Sequence, residues 1–129
     1  TGHLVLATLH TNDAASAVTR LIDMGIEPFL LSSSLLGVLG QRLLRKLCKA
    51  CSGEGCSECS HTGYSGRTGI FELLVTDEPM KALIHTNASE AHIREAAIAG
   101  GMQLMREDGE RLIASSITSR EELVRVTRD

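Results

Sequence analysis

Cys48-Lys-Ala-Cys51 and Cys56-Ser-Glu-Cys59 form a C-x2-C-x4-C-x2-C array that holds all four cysteines of the chain. Two hooks of this kind present four thiolates to one tetrahedral ion, the arrangement Zn²⁺ accepts in a closed structural site. Gly53, Gly55, Gly63 and Gly66 let the backbone turn tightly around such a site. Four protein ligands leave no position for water, so the spacing points to a structural metal and away from catalysis at it. A disulfide pair or a redox C-x-x-C are the competing readings. The absence of a recognisable secretory signal favours reduced thiols, and hooks this close together favour metal. The four-residue connector leaves little slack. His61, just beyond, could replace one thiolate, or sit as a solvated loop residue.

Such a loop cannot build a core, so the rest of the chain must. Of 129 residues, 43% are apolar and 22% charged, which suits one globular unit rather than a disordered tail. Aromatic residues make up only 2%, with Tyr64, Phe29 and Phe71 the sole members, too few for a base-stacking surface. The formal charge of −3 disfavours a phosphate-binding face, so no nucleic-acid partner is expected. The longest apolar stretch, residues 26–44, is interrupted by Glu27, Pro28, three serines and Arg42, and cannot span a bilayer. With no initiator Met ahead of Thr1, the sequence reads as a piece of a longer protein.

Residues 3–10 (HLVLATLH) are nearly continuous in apolar character, the pattern of a strand buried in a mostly parallel sheet. Thr11, Asn12 and Asp13 offer caps for a helix with Ala14, Ala17, Val18, Leu21 and Ile22 on one face, ending at Gly25. Pro28 opens a second predicted helix from Phe29 to about Gly40, and residues 41–48 read equally as its extension or as a strand. The segment 48–69 is loop-built. Residues 67–76 read as a strand, followed by a short helix over 77–84. Further helices are predicted behind Ser89, over 102–117 with Gly109 weakening the centre, and behind Ser119, where Glu122 completes a capping-box pattern. The pairs Glu107–Asp108 and Glu121–Glu122 read as solvated faces.

A second chemical signal lies at the carboxyl end of the first predicted strand. Ligands of open α/β sheets gather there, and Thr8, His10, Thr11 and Asn12 offer hydroxyl, imidazole and amide groups ahead of a helix start that favours anions. By spacing alone, the same residues also read as a helix cap with His10 in a turn. His3 reads as structural. The three lysines, Lys46, Lys49 and Lys81, are not preceded by Gly, so these residues contain no G-x4-G-K-[ST] phosphate loop and should not hydrolyse nucleotide by themselves.

Residues 48–55 resemble one C-x-x-C-x-G-x-G repeat of the DnaJ-type chaperone zinc domain and residues 56–63 approximate a second, over sixteen residues only, which reads as convergence on metal-binding spacing. A broader likeness covers essentially the whole chain. TGHLVLATLHTND (1–13) resembles the His box of the secretion ATPases, the motors of type II secretion and of type IV pilus assembly and retraction. The following VTRLIDMGIEPFLLSSSLLGVLGQRLLRKLC is most similar to the type II members, and GRTGIFELL, REDG and ITSREELVRVTRD extend the likeness to the end.

The resemblance implies an α/β fold. Residues 1–47 would close a RecA-like ATPase core, 48–66 would be a tetracysteine zinc insertion and 67–129 a mainly helical C-terminal subdomain. It implies a homo-hexamer that uses ATP and Mg²⁺ and works on the cytoplasmic face of a Gram-negative inner membrane, against platform and anchoring proteins. By the family pattern His10 lies near the γ-phosphate, and Cys48, Cys51, Cys56 and Cys59 hold the zinc. The family's usual form separates the two hooks by tens of residues, where this chain has four. Two other readings stay open at this level, a free-standing zinc-stabilised interaction module and a fragment of a type IV pilus assembly ATPase.

Overall fold

The computed structural model describes residues 3–128, an α/β arrangement of six helices around one two-stranded antiparallel sheet. In chain order the elements are α1 (Ala14–Asp23), α2 (Pro28–Ser34), β1 (Gly37–Leu47), β2 (Tyr64–Val75), α3 (Glu78–His85), α4 (Glu90–Ala99), α5 (Met105–Ala114) and α6 (Arg120–Thr127). No helix among the described residues is long and apolar enough to cross a membrane.

Local chemistry accounts for most of these boundaries. Asp13 and Ser16 form a reciprocal capping box at α1, and Asp77, Ser89 and Ser119 cap α3, α4 and α6 by accepting a backbone N–H three residues on. Pro28 sits in the first turn of α2, where a missing N–H costs nothing. The predicted helix to Gly40 stops at Ser34 instead, and β1 begins at Gly37. Gly37 and Gly40 weaken a helix by about 1 kcal/mol each. As a strand, the same residues pair along the length of β2, from Gly37 opposite Val75 to Leu47 opposite Tyr64. Tertiary pairing thus overrode a helical period.

Residues 3–10 do not form the expected strand; they carry no regular structure and lie exposed. Parallel strands need neighbours on both sides, and β1 and β2 hydrogen-bond only to each other. Leu4, Val5 and Leu6 consequently stand 71%, 79% and 87% exposed. Thr1 and Gly2 of the His-box pattern lie outside the described residues.

Two apolar clusters lie along one face of the hairpin. Ala14, Ala15 and Val18 of α1 pack with Leu31, Leu74, Met80, Ile84, Ile93 and Ala97 toward its Gly37–Val75 end. Leu44 and Ile70 meet Met105, Leu112, Leu123 and Val126 of α5 and α6 nearer its Leu47–Tyr64 end. Gly109 belongs to this second contact: an added Cβ would overlap the side-chain methyls of Leu123. Gly109→Ala should therefore cost about 1–3 kcal/mol through overpacking against a gain of about 1 kcal/mol in helix propensity, a net destabilisation of up to about 2 kcal/mol. Urea unfolding of the two forms measures the sign directly; a stabilised variant would mean that α5 and α6 are not in this contact.

The expectation of solvated carboxylate pairs is corrected at two residues. Glu122 is 1% exposed. It receives Arg45 through the backbone N–H at 2.7 Å and the guanidinium at 3.0 Å, and Arg125 at 2.7 and 2.9 Å. The Ser119 box is therefore only half formed, the Ser119 hydroxyl accepting from the Glu122 N–H while the Glu122 carboxylate turns to the arginines. Asp108 likewise accepts from the Phe71 N–H at 2.9 Å and from Arg111 at 2.8 Å. Both carboxyl groups join helices to the hairpin.

Candidate metal centre

The loop 48–63 leaves the hairpin at Leu47 and returns at Tyr64, and its base is closed by the Cys48 N–H donating to the Gly63 carbonyl at 2.8 Å. Within it, two eight-residue units repeat in sequence and in backbone. Cys48–Gly55 and Cys56–Gly63 each carry a hook and then a left-handed serine, Ser52 and Ser60, both at φ 55°. Each unit ends on a glycine with positive φ, Gly55 at 106° and Gly63 at 84°, whose N–H donates to the sulfur four residues back, on Cys51 at 3.1 Å and on Cys59 at 3.2 Å. A side chain would strain both turns.

The four Sγ atoms lie within 4.8 Å of one another, and three of the pairs, Cys48–Cys56, Cys51–Cys59 and Cys56–Cys59, stand at 3.8 Å. Four sulfurs placed about 2.3 Å from a central Zn²⁺ in a tetrahedron are about 3.8 Å apart, so the group has the right size for that ion. It is too wide for a disulfide, whose sulfurs are about 2.05 Å apart, and all four cysteines are free. The backbone N–H groups on Cys51 and Cys59 are the outer hydrogen bonds that orient thiolate ligands. The N–H of Cys56 draws the Cys59 thiol down to about 6, reinforced by the Gly63 N–H. At Cys56 the Cys59 N–H acts in the same direction but is outweighed by burial and by the Cys48 and Cys51 thiols, leaving its thiol raised to about 11. A thiol drawn down beside one held up belongs to a donor set from which a divalent cation displaces protons on binding.

No histidine enters the group. His61 stands at φ 61° in the left-handed turn of the second unit, where the first unit has Gly53, and its side chain is exposed. The four-residue connector, which offered little slack, is sufficient because each unit closes on its own glycine.

The root of the loop is held to the segment that leads into α6. Leu47 donates its N–H to the Ile117 carbonyl at 2.7 Å, Thr118 donates its hydroxyl to the Arg45 carbonyl at 2.8 Å, and the Tyr64 and Ser119 hydroxyls meet at 2.6 Å. The Arg45 guanidinium lies 4.2 Å over the Tyr64 ring. His10 is exposed in the irregular segment ahead of α1, apart from the cysteine group. The turn after it is bonded from three elements: Arg42 of β1 donates to the Asn12 carbonyl at 3.1 Å, Arg94 of α4 pairs with Asp13 at 2.8 Å, and Glu72 of β2 accepts from the Ala14 N–H at 2.9 Å. Glu72 was not singled out by sequence, although it lies two residues from both Ile70 and Leu74 and so shares their inward face.

A family model described as type II/IV secretion system protein matches residues 1–125. The chain belongs to that family. The type II secretion system protein HxcR of Pseudomonas aeruginosa is 63% identical over 137 residues, covering 100% of this chain and 29% of that protein. The type II secretion system ATPase E of Vibrio cholerae is 47% identical over 154 residues, again covering 100% of this chain and 30% of the relative. Among solved structures, the pilus retraction motor PilT with bound ADP matches at a TM-score of 0.73 and 27% identity, over 100% of this chain and 34% of that one. The chain thus spans about a third or less of the length of these relatives.

Proposed function

We propose that this chain is the C-terminal part of a hexameric, Mg²⁺-dependent ATPase that powers type II secretion, coupling ATP hydrolysis to pseudopilus assembly at the cytoplasmic face of the inner membrane. The observation that carries the reading is the 63% identity to a type II secretion protein across the whole chain. The 42% identity to the type IV pilus assembly ATPase PilB of Thermus thermophilus supports the related pilus reading less strongly. Its partners would be further copies of itself and the platform and anchoring proteins of the machine. Residues 1–47 would end the ATPase core, 48–66 form the metal insertion and 67–129 the C-terminal subdomain.

In this reading Cys48, Cys51, Cys56 and Cys59 hold one structural Zn²⁺, supported by the spacing of their sulfurs. The ion fixes the loop and supplies no reacting group. His10 acts beside the terminal phosphate of ATP, while the phosphate loop lies in a part of the protein outside these residues; the 129 residues alone are inactive.

The full-length protein carrying His10→Ala tests this. ATP turnover should fall by about 10-fold or more with nucleotide affinity little changed, as for a group acting mainly on the hydrolysing state. Unchanged turnover would return His10 to a turn residue. Secretion in cells, measured beside pilus-dependent motility, separates the type II reading from the pilus one.

A further inference from the structure

Glu72 is 4% exposed, and its two carboxyl oxygens serve two different helices. Oε1 accepts from the Ala14 N–H at 2.9 Å and Oε2 from the Met105 N–H at 3.3 Å. Ala14 and Met105 are the first residues of α1 and α5. Helix starts carry unpaired N–H groups and positive partial charge, so one buried carboxyl between two of them is a shared cap. For α5 it is the side-chain cap that its own N-terminus lacks, because the residue at that position is Leu104, which makes no such bond.

The opposite strand is shaped for this group. Gly40 pairs with Glu72 across the hairpin. A Cβ there would come to 3.0 Å from the Glu72 Cγ, 3.4 Å from its Oε1 and 3.5 Å from the Ala14 nitrogen. Gly40 therefore leaves the space in which the carboxyl reaches α1. The turn that Glu72 reaches is the one after His10, also held by Arg42 through Asn12 and by Arg94 through Asp13.

We propose that Glu72 is a positioning residue for His10: it fixes the start of α1 to the start of α5 and so holds in place the turn that follows His10. This rests on the proposed role of His10. Glutamine at this position keeps one acceptor oxygen but turns an NH₂ donor toward the second N–H, so one helix start must come loose.

The test uses the full-length ATPase. Glu72→Gln should lower kcat by about 10-fold, the scale on which small misplacements of an active group act, with KM for ATP within about 2-fold. Hydrogen exchange should show faster exchange at residues 14–17 or 105–108 and unchanged protection of β1 and β2. In the His10→Ala background, Glu72→Gln should add no more than about a 2-fold loss, because a residue acting through His10 has nothing left to position. Where Glu72→Gln fails to accumulate, Gly40→Ala, which crowds the same carboxyl, takes its place in the cycle. Multiplying effects of the two substitutions, or an unchanged kcat, would overturn the proposal. If His10→Ala slows turnover and Glu72→Gln does not, only the positioning role falls; if His10→Ala itself leaves turnover unchanged, the reading of His10 falls first and the positioning role with it.

Discussion

With Zn²⁺ held by the four cysteines as proposed, chelation is expected to unfold residues 48–63 while the helices around the hairpin keep their structure. The loop has almost no apolar interior of its own: Cys48 and Cys59 are its buried side chains of that kind. Structural Zn²⁺ sites contribute on the order of 10 kcal/mol to folding, far more than a sixteen-residue loop rich in glycine gains otherwise. The remainder has two apolar clusters that do not include the cysteines. Hydrogen exchange with and without a strong chelator should show protection lost at Gly55, Cys56 and Gly63, and kept at Leu44 and Ile70. Cys51→Ser should have the same pattern. Because binding displaces the proton of the Cys56 thiol, held up at about 11, apparent metal affinity should weaken as pH falls. A chelated protein that keeps its protection at Gly55 and Gly63 would show that the loop folds by itself.

The second large effect belongs to Glu122. Its carboxylate has no exposed side-chain surface, while its partners Arg45 and Arg125 are 43% and 58% exposed. Removing one member of a buried pair costs about 3–5 kcal/mol; with both arginines able to turn to water, Glu122→Gln is expected to cost about 2 kcal/mol, discounted for that screening. The glutamine oxygen still accepts from the Arg45 N–H, which faces this group at 2.7 Å, so the loss falls on the guanidinium pairs. Hydrogen bonds from Arg125 and Arg45 hold the Glu122 carboxyl well below its ordinary value of 4.5. A carboxyl whose folded value is depressed stabilises the fold fully above its unfolded value, and that contribution is lost as pH falls below it. Urea midpoints should therefore decline from about pH 5 downward in the parent chain, and more gently in Glu122→Gln. Parallel pH curves for the two forms would remove Glu122 from the acid response.

Much of this was legible in residues whose signals are local. The caps Asp13, Ser89 and Ser119, the strand through Ile70 and Phe71, and the paired cysteine hooks all declare themselves within a few positions. Boundaries set by distant partners did not. Residues 35–40 read as helix until β2 is placed beside them, and residues 3–10 read as a strand whose neighbours the described residues do not supply. Glu122 looked like half of a surface pair because its arginine partner, Arg45, lies 77 positions away in sequence. Glu72 was hidden in the same way, although the alternation of β2 put it on the buried face. In the cysteine loop, the grouping of the four thiols was readable from spacing, whereas the left-handed Ser52 and Ser60 and the glycine N–H groups on sulfur emerged only with the backbone.

The most direct measurement is the metal content and X-ray absorption spectrum of the protein purified without chelator. One zinc per chain with four sulfur neighbours at about 2.3 Å is expected for a closed site built from four cysteine thiolates. A folded, metal-free protein with four titratable thiols, or a zinc with a nitrogen or oxygen neighbour in its shell, would contradict it.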